Sequence, residues 1–234
     1  MTTPDWLERT SLLMGPDKME RFRRAHVLVV GTGGVGAYAA EMLVRAGIGR
    51  LTLLDADRVQ PSNINRQLCA LHSTVGEEKV RVLGLRFKDI NPELDLTVRA
   101  EFLEEHSAGV LLDSAKFDFI DTIAPKCALI EEAMKRRIRI VSSMGAGAKT
   151  DITQIRFADL WETFHCGLSK AVRTRLKRDG MRRPLPVVFC AQQADPAALV
   201  QVEGERNKKT TTGTVSYMPA VFGCYLAQYV ISRL

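Results

Sequence analysis

Val27-Leu28-Val29-Val30-Gly31-Thr32-Gly33-Gly34-Val35-Gly36 decides how this 234-residue chain folds. Four β-formers in a row read as a strand buried on both faces, as in a parallel sheet. Gly31-x-Gly33-x-x-Gly36 then turns strand into helix over residues 37–46. The first glycine allows a tight turn, the second lets a phosphate approach the backbone, and the third lets helix and strand pack closely. Free N–H groups at the helix start, with roughly half a positive charge there, favour an anion. Gly47 caps the helix. A second strand over residues 51–54 ends at Asp55, where a carboxylate about 20 residues past the glycines can accept from ribose hydroxyls.

Outward from this unit the rhythm continues. Residues 77–90 carry Val80, Leu83, Phe87 and Ile90 at helical spacing, and Asn91-Pro92 stops that helix. Strands are expected over 94–100 and 117–120, the latter ending at Asp121, then a helix over 126–137 and a strand over 138–142. Alternating strands and helices predict an α/β protein with a Rossmann-like, doubly wound, mostly parallel sheet and its ligand at the carboxyl ends of the strands. A smaller antiparallel part is expected at the C-terminal end. One domain spans residues 1–234: a helical arm (1–24), a nucleotide-binding half (25–147) and a second half with a basic segment (148–234). The apolar run 215–234 reads as a buried strand and helix rather than a membrane span.

Composition narrows the class. With 46% hydrophobic and 26% charged residues the chain is an ordinary globular protein, and its net charge of +6 is mild. Five cysteines without close pairs argue against a disulfide framework and against a four-cysteine zinc site, and reduced thiols fit the cytoplasm. The polar stretch 1–8 lacks the apolar core of a signal peptide. Cys69, Cys127 and Cys224 stand in apolar contexts and read as packing; Cys166 and Cys190 are the candidates for a reactive thiol.

Asp55, Asn63, Arg66, Gln67, Lys79 and Asp121 are candidates for one site. A glycine fingerprint alone would suit a nicotinamide oxidoreductase, which leaves Asn63, Arg66 and Lys79 without a task. Attack of an acid on the α-phosphate of ATP moves charge onto departing pyrophosphate, and cations must meet it. Arg66 offers a planar fork and Lys79 a point charge. Asp121 supplies a hard oxygen for Mg²⁺.

Gly31-Thr32-Gly33-Gly34-Val35-Gly36, Leu53-Leu54-Asp55-Ala56-Asp57, Ser62-Asn63-Ile64-Asn65-Arg66-Gln67 and Val75-Gly76-Glu77-Glu78-Lys79 together resemble the ubiquitin-activating-enzyme superfamily, the ThiF/MoeB/HesA group. The resemblance implies that group's adenylation fold, with Asp55 on ribose, Asn63, Arg66 and Lys79 on phosphates, Asp121 on Mg²⁺, and Gly33, Gly34, Asp57 and Gln67 lining the nucleotide. It implies a homodimer in which Arg9, of Arg9-Thr10-Ser11-Leu12-Leu13-Met14-Gly15, reaches the partner's ATP. Asp118 and Asp121 reproduce the group's Asp-x-x-Asp spacing, with Asp121 the better candidate.

Within the group the chain is most similar to the tRNA threonylcarbamoyladenosine dehydratases. The marks are Ile90-Asn91-Pro92-Glu93, Pro125-Lys126-Cys127-Ala128-Leu129-Ile130 and Gly145-Ala146-Gly147-Ala148-Lys149-Thr150-Asp151, with no paired cysteines for zinc. The implied activity is ATP-dependent cyclising dehydration of threonylcarbamoyladenosine at position 37 of tRNA. Adenylation of the C-terminal glycine of a ubiquitin-like or sulfur-carrier protein is the alternative, and a sulfur-relay protein is a further candidate partner. Lys170, Arg173, Arg175, Lys177, Arg178, Arg182 and Arg183, with one acid among them, read as a tRNA phosphate patch or as a solvated helix face. Arg206, Lys208 and Lys209 form a weaker cluster.

Overall fold

The computed structural model describes residues 4–113, 119–122, 126–201 and 210–234. Two helices lead in, α1 (Glu8–Met14) and α2 (Pro16–Arg24), separated by Gly15 at φ 78° with Pro16 as the first residue of α2. There follow β1 (His26–Val30), α3 (Gly36–Arg45), β2 (Arg50–Leu54), α4 (Lys79–Ile90), β3 (Asp95–Arg99), α5 (Ala108–Asp113), β4 (Phe119–Thr122), α6 (Lys126–Lys135) and β5 (Arg139–Ser143). The second half holds β6 (Ile155–Asp159), α7 (Gly167–Arg178), β7 (Pro186–Cys190), the pair β8 (Leu199–Gln201) and β9 (Thr210–Thr212), and α8 (Tyr217–Arg233).

Seven strands form one sheet in the order β3-β2-β1-β4-β5-β7-β6, parallel throughout except β6, which runs antiparallel to β7. All five residues of β1 are buried. Their alternation divides the core: Val27 and Val29 pack with α3, α4 and α8, while Leu28 and Val30 pack with α5, α6 and α7. The chain leaves β1 for β2 and β3 on one side and returns to β4 and β5 on the other. Reversal of strand order at β1 opens a crevice at its carboxyl end, where doubly wound sheets hold ligands.

Several elements differ from the sequence expectation. Asp121 lies inside β4, opposite Val29 of β1 and Val141 of β5, with Thr122 ending the strand. Helix α4 starts at Lys79 rather than Glu77, because the Gly76 N–H donates to Val59 O and the Val59 N–H to Glu77 O, which holds residues 76 and 77 in the loop. The run 215–234 forms the helix α8 and no strand. The antiparallel part is split: β6 extends the main sheet, whereas β8 and β9 pair apart from it. Cys224 is exposed on α8 rather than packed. No helix among the described residues is long and apolar enough to cross a membrane.

Helix α8 crosses α3 at Gly223. A Cβ there would lie 2.5 Å from the Val35 carbonyl oxygen and 2.7 Å from Tyr38 Cβ. Backbone and a buried helix cannot give way cheaply, so Gly223→Ala should lower stability by about 2–3 kcal/mol. Urea unfolding checks this; an unchanged midpoint would show that the crossing is loose.

Candidate nucleotide site

The site is assembled on the turn after β1. Gly31 adopts φ 88°, a conformation open to glycine, and its N–H donates to Leu54 O at 2.8 Å, tying the turn to the end of β2. The next residue, Thr32, is buried, and its N–H and Oγ1 both donate to Asp55 Oδ2, at 2.6 and 3.0 Å. The Asp57 N–H donates to Asp55 Oδ1 at 2.8 Å. Three donors thus fix a half-buried carboxylate and leave about one of its four acceptor positions, on Oδ1, for a hydroxyl. Among the described residues, the N–H groups of Gly33, Gly34, Val35 and Gly36 have no hydrogen-bond acceptor. These donors at the start of α3 suit a phosphate, the anion a helix N-terminus binds best.

The loop after β2 closes over this turn. A Cβ on Gly34 would meet Pro219 Cβ at 3.0 Å and the Arg66 stem and carbonyl at 3.4 Å. The nearest neighbour of a Cβ on Gly33 would be Gln67 Nε2 at 3.7 Å, which leaves space beside that residue. Buried Asn63 turns the loop by accepting the Gln60 N–H at 3.0 Å on its Oδ1. Arg66 donates through Nη1 to Ser62 O at 2.9 Å and Asn65 Oδ1 at 2.8 Å, both neutral acceptors. Among the described residues it has no carboxylate partner, so its charge is left for an incoming anion. Lys79 is buried at the first turn of α4, with Nζ 2.7 Å from Asp57 Oδ2. Asp57 therefore serves as the counter-ion of Lys79, a use that its place after Asp55 did not reveal.

Six of the sequence candidates thus meet at the glycine turn: Asp55, Asp57, Asn63, Arg66, Gln67 and Lys79. Asp121 reaches the same end of the sheet through its register with Val29, but its side chain lies outside the described residues, as does Asp118. Arg9 is exposed on α1 and has no partner among the described residues. A feature the sequence did not show is a cavity of about 150 Å³ lined by Leu54, Arg99, Phe102, Leu103, Val110 and Leu111. It opens next to Asp55, whose N–H donates to Arg99 O at 3.1 Å. The exposed Phe102 just past β3 was the available signal.

A family model described as the ThiF family matches residues 7–234. The chain belongs to the ThiF family. It is 35% identical to the tRNA threonylcarbamoyladenosine dehydratase of Bacillus subtilis, over 97% of this chain and 93% of that protein. The crystal structure of the Escherichia coli tRNA N6-threonylcarbamoyladenosine dehydratase TcdA in complex with ATP matches with a TM-score of 0.88 and 32% identity, covering 100% of this chain and 96% of that one. The molybdopterin-synthase adenylyltransferase of Escherichia coli is 30% identical over 64% of this chain and 61% of its own length.

In this ThiF-family chain the basic segment is less uniform than its composition suggests. Val172 and Leu176 bury one face of α7. Arg173 turns inward, its Nη1 donating to Leu160 O at 3.1 Å, Thr163 O at 2.9 Å and Thr163 Oγ1. That correction removes it from the candidate phosphate contacts. Arg175 and Arg178 flank Asp179, at 2.6 and 3.3 Å. Arg183 donates to Met134 O at 3.3 Å. Lys170, Lys177 and Arg182 are exposed and carry no ion pair among the described residues. Arg206, Lys208 and Lys209 lie outside them.

The two candidate reactive thiols diverge. Cys190 is buried, its Sγ 3.6 Å from Asp151 O. Cys166 caps α7, its Sγ accepting the Ser169 N–H at 3.5 Å. Burial pushes that thiol up, but the Ser169 side chain and N–H, the Gly145 N–H and the Lys149 charge outweigh it and hold it below the usual thiol range. Exposed Cys224 is pushed the other way by its partial burial. Cys166 should therefore reach half its limiting alkylation rate by iodoacetamide at a lower pH than Cys224. Peptide mass spectrometry across a pH series reads both rates, and the reverse order would contradict the capping argument.

Proposed function

We propose that this chain binds ATP in the crevice beyond β1 and uses it to dehydrate threonylcarbamoyladenosine at position 37 of tRNA, closing the side chain into a ring. The observation that carries the reading is the set of four free N–H groups beside a fixed acceptor, Asp55, and a guanidinium, Arg66, that no acid of the described chain neutralises. Near-complete overlap with the dehydratases, against partial overlap with the sulfur-carrier type, favours tRNA as the carrier of the acid.

In this reading Asp55 accepts from the ribose hydroxyls and the neighbouring cavity takes the adenine. The glycine turn, Asn63 and Gln67 line the phosphates. Mg²⁺ would be held by Asp121 and would offset charge on the pyrophosphate. The substrate carboxylate attacks the α-phosphorus and releases pyrophosphate, and an internal nucleophile of the same side chain then expels AMP, for a net loss of water. Arg66 stabilises the charge that accumulates as pyrophosphate departs, in a fixed position that costs no reorganisation. Lys79 acts from the same side, its position set by Asp57. Lys170, Lys177 and Arg182 track the tRNA backbone.

The chain acts as a homodimer, with Arg9 completing the partner's site. Exposed Leu12 and Leu13 beside Arg9 on α1 give a second copy an apolar strip to cover.

Incubation with ATP and threonylcarbamoyladenosine-bearing tRNA should yield AMP, pyrophosphate and a nucleoside lighter by one water. Arg66→Ala should lower kcat/KM roughly a hundredfold, as loss of one preorganised charge donor does. AMP formation with a protein ending in Gly-Gly, and none with the modified tRNA, would transfer the assignment to the sulfur-carrier class. Replacing Lys170, Lys177 and Arg182 together by Ala should flatten the slope of log affinity for tRNA against log salt by about 2–3. An unchanged slope would move the tRNA surface elsewhere.

A further inference from the structure

Residues 212–219, the return from β9 into α8, lie across the site. A Cβ on Gly147 would stand 2.5 Å from Thr212 Cγ2, so β9 rests directly on the loop after β5. The Ala148 N–H donates to Gly213 O and the Gly213 N–H to Ala198 O, both at 2.8 Å. Tyr217 Oη donates to Thr150 O at 3.0 Å, and Pro219 lies against Gly34 of the glycine turn. This leg therefore touches both the phosphate turn and the loop after β5.

Asn65 joins the leg to Arg66. Its Oδ1 accepts from Arg66 Nη1 at 2.8 Å, while its Nδ2 donates to Thr214 O at 3.0 Å, across 149 residues of sequence. The partners fix the amide's orientation, because a guanidinium can only donate and a carbonyl can only accept. An aspartate at this position would lose the donor to Thr214 and would neutralise Arg66. An alanine would lose both contacts and leave the charge intact. The amide is the short side chain that holds the arginine without discharging it.

We infer that Asn65 is a positioning residue, coupling the placement of the Arg66 guanidinium to the return leg between β9 and α8. The inference rests on the ATP-binding reading of the crevice and assigns a second task to the Ser62–Gln67 loop.

Three chains test it: the wild type, Asn65→Ala and Asn65→Asp. ATP affinity is measured by calorimetry without tRNA, and backbone amide exchange is followed in the nucleotide-free chains. Asn65→Ala should weaken ATP binding about threefold, and Asn65→Asp about tenfold or more, since a carboxylate competes with phosphate for Arg66. In both variants the Ala148 and Gly213 amides should exchange several-fold faster. Because Asn65 is exposed, both variants should keep the wild-type circular dichroism. A purely structural amide would make the two variants equal in ATP affinity, and that result overturns the inference. So does unchanged exchange at Ala148 and Gly213 in Asn65→Ala. A wild type that binds no ATP is a separate result: it rejects the nucleotide reading, and the inference falls with it.

Discussion

The structure depends on the complete burial of β1 between two parallel neighbours. A strand buried on both faces and both edges has one accessible feature, its carboxyl end. There the chain must turn into α3 while β2 leaves on one side and β4 arrives on the other. The free N–H groups of the turn, Asp55 at the end of β2 and the Asp121 position on β4 converge because of that single placement. Gly33 and Gly34 of the turn are only partly buried, which lowers the cost of leaving their N–H groups unpaired, while Val35 and Gly36 are buried and gain most from an incoming acceptor. The availability of these donors is thus a direct consequence of how the sheet is wound.

Charge placement around the crevice follows a consistent logic. Arg66 is held by a carbonyl and an amide, which fix its direction and leave its charge. Lys79 is buried and is given a carboxylate, but one that is itself more than half exposed, with 57% of the Asp57 side chain accessible. That pairing avoids the large penalty of an isolated buried ammonium while keeping Asp57 in high-dielectric surroundings, where the pair attracts weakly. Buried Glu41 is treated differently: it sits between Arg86 and Arg45, at 2.6 and 2.9 Å. Burial would raise its pKa, yet the two guanidiniums hold the carboxyl below its ordinary range. The contrast separates a structural ion cluster from cations kept available.

Much of the first half was legible because its signals are local. The buried β-formers, the glycine spacing and Asn91-Pro92 each act within a few residues of the structure they specify. What was not legible depends on distance. Nothing near Asp57 announces that it pairs with Lys79, 22 residues on. Arg173 looks like its neighbours in sequence, and only the Thr163 turn beneath it draws it inward. The apolar run 215–234 reads partly as strand because its small residues carry no clear period. Gly223 is small because α3 crosses it, and Cys224, one residue on, faces out. The cavity beside Asp55 joins the end of β2 to residues after β3, elements that touch only once the sheet has formed.

This distribution of local and distant contacts bears on how the site comes into being. The β1-α3-β2 unit carries the glycine turn, Thr32 and Asp55 within 25 consecutive residues, 31–55, so the position of the Asp55 carboxylate is specified by local contacts. The direction of Arg66 depends on a far longer contact, because the amide that accepts from it is anchored 149 residues away on the approach to α8. Closing contacts of such separation costs loop entropy that only packing of the intervening elements offsets. The α3–α8 crossing supplies that packing, with Gly223 against Val35 and Pro219 against Gly34. A chain that had formed only its first half would thus hold the Asp55 acceptor without the long-range contact that orients Arg66. In the ATP-binding reading, the orientation of Arg66 therefore depends on the approach to the last helix, and the glycine turn alone does not supply it.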